Sequence, residues 1–184
     1  MSARNLLLLL VIFMAQHQDM GVSSPIHSSC SRNCQWNEFK HLTQTLYTQA
    51  LKIYNSTKST DNVVLDNVPR IQCNDHCAPE HLISHKQTCL NRIFDILSYY
   101  KSALSTLSPS RENKDFTMVK KTISDILCLL QACDAKAINP ETPKLVTEEF
   151  LRRHIGSPLL SVSILIARVF SPGDPANHII HPKH

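Results

Sequence analysis

The chain has 184 residues, 42% of them hydrophobic, which is enough for one domain with a sizeable core. Its net charge of +4 comes without any lysine or arginine run longer than two, so there is no electrostatic case for nucleic acid. Three glycines and ten prolines argue against tight hairpins and phosphate-cradling loops, and suit helices joined by irregular segments. No GxSxG, HExxH, Walker-type glycine loop or Rossmann fingerprint is present, which leaves enzymatic readings without parts.

The N-terminus carries Arg4 and then an apolar run from Leu6 to Ala15. That run is too short to cross a ~30 Å bilayer as a helix and fits the apolar region of a signal peptide. A leader of residues 1–21 is expected, cut between Ala15 and Ser24, leaving a single domain over 22–184. A secreted, extracellular protein with no membrane insertion follows, and in that compartment cysteines pair.

Phe39, Leu42, Leu46, Ala50 and Ile53 recur at helical spacing and predict a first helix over about 33–54, with Trp36 in its first turns. Asn55-Ser56-Thr57 is a glycosylation sequon placed just after it. From Asn55 to Ala78 there is no periodicity, although Val63-Val64-Leu65 could form a short strand or 3₁₀ turn. So long a connection is expected where neighbouring helices run parallel and the chain must travel back.

Leu90, Ile93, Leu97, Tyr100, Leu104 and Leu107 form a heptad-like seam. They predict a second helix over about 79–107, with Pro79 near its start and Pro109 beyond its end. Phe116, Val119, Ile123, Ile126, Leu130, Cys133 and Ala137 predict a third over about 114–135. The short link between these two makes them antiparallel neighbours. Leu151, Ile155, Leu159, Val162, Ile166 and Val169 supply the face of a fourth, over about 144–171. Gly156-Ser157-Pro158 should kink it, since proline removes a donor and clashes with the preceding turn. The sum is an all-α, long-chain four-helix bundle of the up-up-down-down cytokine type. Its weak point is the third connection, about nine residues by this reading, which barely spans a helix length of ~30 Å.

Seven cysteines leave one over in an oxidising compartment. Cys73 lies in a polar loop and is a candidate for an interchain bond. A bridge between Cys77 and Cys89 would pin the start of the second helix. Cys30 or Cys34 could reach Cys128 or Cys133, or the latter two could be buried free thiols. Cys73, Cys77, His81, His85 and Cys89 also fall at four-residue spacing, which on one continuous helix would suggest zinc. Pro79 and the secreted setting weigh against that, and His81 and His85 then read as solvated helix residues. No cofactor and no metal is expected. Glu148 and Glu149 are adjacent and do not share a helix face, so they read as solvated surface.

The blocks Asn67-Val68-Pro69-Arg70-Ile71-Gln72-Cys73-Asn74-Asp75-His76-Cys77 and Cys89-Leu90-Asn91-Arg92-Ile93, with Ala167-Arg168-Val169-Phe170 near the end, closely resemble the interleukin-23 alpha chains of the interleukin-12 cytokine family. The resemblance implies a secreted subunit disulfide-linked to the interleukin-12 beta chain, a receptor-like protein of immunoglobulin and fibronectin type modules, and acting on cell-surface cytokine receptors in immune and inflammatory responses. It assigns the interchain disulfide to Cys73, the intrachain pair to Cys77 and Cys89, and the beta-chain interface to Arg168. The family has a receptor-contacting tryptophan at the start of the last helix. Val146 stands there in this chain, with Phe150 as a substitute and Trp36 as a further receptor-contact candidate. Glycosylation is expected at Asn55. The alternative reading is a secreted helical carrier for a small apolar ligand.

Overall fold

The computed structural model describes residues 33–57, 68–78, 81–108, 114–140 and 147–171. All regular structure among them is helical: α1 (Trp36–Ser56), a 3₁₀ turn (Cys73–Asp75), α2 (Leu82–Ser105), α3 (Lys114–Ala132), α4 (Glu148–His154) and α5 (Gly156–Phe170). The leader, Val63-Val64-Leu65, Val146 and the C-terminal tail lie outside the described residues.

The helices are oriented by contacts at their ends. The start of α1 is bonded to the chain just past the end of α3 through Cys34–Cys133. The far end of α1 meets the start of α3 through Lys52 Nζ and Asp115 Oδ1, 2.7 Å apart. These two helices are therefore antiparallel. Phe39, near the start of α1, stacks on Phe170, the last residue of α5, with centroids 4.4 Å apart and planes 9° apart. Gly156, the first residue of α5, packs against Tyr54 and Thr57 at the other end of α1, so this pair is antiparallel too. Gln87, early in α2, donates to the Asp134 carbonyl beyond the end of α3, so α2 and α3 are antiparallel as well. Two helices up and two down follow from these contacts alone.

Sequence periodicity explains most of the core. All six residues of the α2 seam, and all six apolar positions predicted for the last helix, are buried. On α1 the buried set is Phe39, Thr43, Leu46, Ala50 and Ile53, with Leu42 only half-buried. Thr43 is tolerated there because its hydroxyl donates to the Phe39 carbonyl at 2.8 Å.

Of three boundaries, the first and third differ from expectation. Helix α3 stops at Ala132, not 135, because Asp134 adopts the left-handed conformation with φ of 63°. Ala135 N–H then donates to the Leu130 carbonyl and Asp134 N–H to that of Gln131, a Schellman closure. Ala137 consequently lies outside the helix and is exposed. The earlier stop also relieves the third connection: residues 133–147 reach ~50 Å when extended, against a helix of ~28 Å. Its first part is hung on α2. Buried Asn91 accepts from Lys136 N–H at 3.0 Å, and buried Asp95 accepts from Ile138 and Asn139 N–H at 3.2 and 3.1 Å.

Second, the last helix bends at Ile155, as the Gly156-Ser157-Pro158 stretch predicts, and does so without opening into a loop, since Ile155 N–H still reaches Leu151 and Leu159 N–H still reaches Ile155. Gly156 has a packing reason at that bend. A β-carbon there would lie 2.5 Å from Thr57 Oγ1 and 3.1 Å from the Tyr54 α-carbon. Third, α2 begins at Leu82 and contains a non-helical residue, His85, with φ of −125° and ψ of 26°.

Two stability predictions follow from these contacts. Gly156→Ala forces α5 off the end of α1 and should lower stability by about 1–3 kcal/mol in urea titrations; an unchanged midpoint would mean the close approach is not needed. Tyr100 is fully buried and its hydroxyl has no hydrogen-bond partner among the described residues. Burial, with Tyr99 adding, pushes its ionisation far above the ordinary tyrosine range, partly opposed by Arg70. The folded state thus keeps this proton while the unfolded chain loses it past about pH 10, and stability drains as pH rises. Tyr100→Phe should be neutral to about 1 kcal/mol stabilising at pH 7, with its advantage over the native chain growing in titrations above pH 10.

Candidate partner-binding surfaces

The 3₁₀ turn that begins with Cys73 is held from two sides. Within it, Gln72 N–H donates to Asp75 Oδ2 at 2.6 Å, and Asp75 N–H donates to the Gln72 carbonyl. Asp75 lies 3.4 Å from Arg92 Nε on α2, and Arg92 Nη2 donates to the Arg70 carbonyl at 3.0 Å. On the other side, Cys77 is bonded to Cys89, both buried, with α-carbons 5.0 Å apart. Their bond uses two of the sulfurs that a zinc site in this stretch would need, and His81 and His85 are exposed. Among the described residues no cluster of three or more histidine, cysteine or acidic side chains is placed to hold a metal. The Cys73 backbone opens this fixed turn; its side chain lies outside what is described.

Arg168 is exposed in the last turn of α5. It makes no ion pair or hydrogen bond among the described residues. Ile164 and Leu165, one turn earlier on the same side, are only half-buried, and Ser161 continues the row as an exposed residue. The inward face of the same helix, Leu159, Val162, Ile166 and Val169, is buried. The outer face of α5 thus offers an unpaired guanidinium beside partly exposed aliphatic surface.

The other expected contact residues do not form one site. Phe150 is half-buried on α4, with its ring 4.5 Å from that of His154. Thr147 caps this short helix by accepting from Phe150 N–H at 3.3 Å. Trp36 is at the opposite end of the bundle. Its ring centroid is 4.9 Å from that of Phe170 and 5.9 Å from that of Phe39, and Lys86 Nζ sits 4.6 Å above its ring. Most of its surface therefore closes the end of the core. Asn55 is exposed but lies in the last turn of α1, which extends through Ser56, rather than in a loop beyond it. The hydroxyl of Thr57 in the same sequon donates to the Ile53 carbonyl at 2.8 Å.

Cys34 and Cys133 form a disulfide with α-carbons 4.9 Å apart, and Cys128 is disulfide-bonded as well. Neither is a buried free thiol. The bundle topology carried the missing signal. Antiparallel first and third helices bring the start of one beside the end of the other, where these two cysteines lie.

An all-α bundle with two helices up and two down is the architecture of the helical cytokines, which work by presenting helix faces to other proteins. The profile of the family described as interleukin 23 subunit alpha matches residues 34–173. The interleukin-23 subunit alpha of Cavia porcellus is 32% identical over 112 residues, covering 57% of this chain and 55% of that protein. That of Mus musculus is 30% identical over 123 residues, covering 61% and 63%. That of Rattus norvegicus is 26% identical over 182 residues, covering 90% and 91%. The chain spans little more than half the length of the first of these relatives. It belongs to the interleukin-23 subunit alpha family.

The Cys34–Cys133 bond spans a sequence separation of 99. Loop-closure entropy gives such a link at most about 4–5 kcal/mol, an upper bound because the bonds at Cys128 and Cys77–Cys89 remain. Cys34→Ser with Cys133→Ser should therefore lower the unfolding free energy by up to that amount. A loss under about 1 kcal/mol would show that the helix contacts alone set the topology.

Proposed function

We propose that this chain is secreted as the alpha subunit of an interleukin-23-like heterodimer that signals through cell-surface cytokine receptors. In this reading the leader over 1–21 is removed, Asn55 carries a glycan, and the partner is the interleukin-12 beta chain. Family membership supports the subunit role. The observation that carries the pairing is the outer face of α5, where Arg168 has no ion-pair or hydrogen-bond partner among the described residues and stands beside half-exposed Ile164 and Leu165.

The chemistry fits a docking anchor. A guanidinium reads a carboxylate with two parallel hydrogen bonds, and its attraction strengthens as the interface excludes water. Aliphatic neighbours supply the dry rim that makes a central arginine dominant in an interface. Cys73 would then add a covalent tie from a turn already held by Arg92 and by the Cys77–Cys89 bond. The receptor contact in this reading includes Phe150 on α4 and Val146, which precedes the described residues, while Trp36 could meet a receptor only through the edge left free by Lys86 and Phe170.

Co-expression with an interleukin-12 beta chain tests this directly. Non-reducing gels of the medium should show a band at the summed mass that collapses on reduction and is absent for Cys73→Ser. In the Cys73→Ser background, where binding is reversible, Arg168→Ala should weaken association by at least ~2 kcal/mol, about thirtyfold. A readily secreted lone chain with no partner band would overturn the covalent assignment and favour the carrier reading.

A further inference from the structure

Three histidines converge where the 3₁₀ turn meets the start of α2. The His76 ring stacks on that of His85, with centroids 4.4 Å apart and planes 30° apart. It also meets the His81 ring edge-on at 5.8 Å. Nothing in the receptor or partner reading uses these residues.

The backbone is unusual at both stacked positions. His76 ends the 3₁₀ turn in the left-handed conformation, with φ of 55°. His85 is the one residue inside α2 with non-helical angles. A left-handed non-glycine residue is strained and persists where the surroundings hold it. The two departures face each other across the ring stack, and the Cys77–Cys89 bond closes a loop that holds His81 and His85, with His76 immediately before it.

We propose that His76, His81 and His85 form a proton-sensitive clasp. Neutral rings add to the hold that Arg92 and the Cys77–Cys89 bond keep on the turn that begins at Cys73, and protonation of the stack loosens it. Imidazole is the side chain that ordinarily changes charge between pH 5 and 8. Two neutral rings stack favourably, whereas two imidazolium ions at this distance repel.

The charged groups nearby do not offset that repulsion. Asp75, on the turn itself, is taken up by Gln72 N–H and Arg92. On α2, Arg92 and Lys86 add positive charge, and Lys86 is drawn away over Trp36. From the segment after α3, Asp134 engages α2 through its carbonyl and Gln87. Repulsion between two unit charges about 4 Å apart in water is worth about a fivefold change in an opening equilibrium. The clasp therefore loosens locally and does not unfold the bundle. It concerns the turn alone and holds whether or not Cys73 meets a partner chain.

Hydrogen exchange on the full chain, resolved to peptides covering 72–88 and corrected for the intrinsic pH dependence of exchange, tests it. Between pH 7.5 and 5.5 the native chain should lose about fivefold in protection over 74–85, while peptides from 89–104 keep theirs as an internal control. His85→Gln leaves only one ring of the stack able to charge and should abolish the pH-dependent loss, and His76→Gln should do the same. If either variant disturbs the control peptides, the other decides. Unchanged protection in the native chain at pH 5.5 would overturn the proposal, and so would an undiminished loss in both variants.

Discussion

The start of α1 is where the bundle is fixed. Phe39 stacks face to face on Phe170, Trp36 covers the pair, and Cys34 is bonded across to Cys133. Three helices meet there through one aromatic cluster and one covalent link. Because α5 ends and α3 ends at the same place, their starts must lie together at the far end of α1. The close approach of Gly156 to Tyr54 and the ion pair of Lys52 with Asp115 occur at that far end. The exposed ion pair adds at most about 1 kcal/mol, so the near end carries the energetic weight and the far end fixes the register.

This arrangement separates structure from recognition. Helix α1 packs against both α3 and α5 and holds them in place. Helix α5 gives its inner row to the core and keeps Arg168, Ser161 and the half-exposed Ile164 and Leu165 outside. Helix α2 does a third job. Its buried Asn91 and Asp95 hold the chain that leaves α3, and its Arg92 holds the 3₁₀ turn that leads into it. Buried polar side chains are costly unless their partners are supplied. Here backbone N–H groups of a segment outside the regular helices supply them, so both sides are satisfied. The described segments before α2 and after α3 are thus tied down from within the bundle.

Much of the fold was legible in the sequence because apolar spacing and a long first connection are strong signals. The α2 row from Leu90 to Leu107 and the last row from Leu151 to Val169 needed only helical periodicity. Spacing could not say that Thr43 would be buried in place of Leu42, since a hydroxyl that bonds the preceding turn hides its polarity. Nor could it place the end of α3, which depends on Asp134 accepting a left-handed backbone, a role more common for glycine or asparagine. Gly156 and Pro158 read as a helix breaker, whereas the glycine is required by the neighbouring helix. The stack of His76 on His85 was invisible, because their separation along the chain matches no regular period and a kink brings the rings together. Of the site residues, Arg168 came from resemblance alone. Its exposure beside Ile164 and Leu165 gives that assignment a physical setting.

Cys34–Cys133 and Cys77–Cys89 are bonded inside the bundle, and Cys73 is the proposed link to another chain. Peptide mapping of the unreduced, alkylated protein, co-expressed with an interleukin-12 beta chain, reads this in one measurement. The account predicts linked peptides for Cys34 with Cys133 and for Cys77 with Cys89, and Cys73 in a peptide bonded to the partner. Cys73 recovered in a bond within its own chain, or Cys34 and Cys133 recovered alkylated and free, would contradict it.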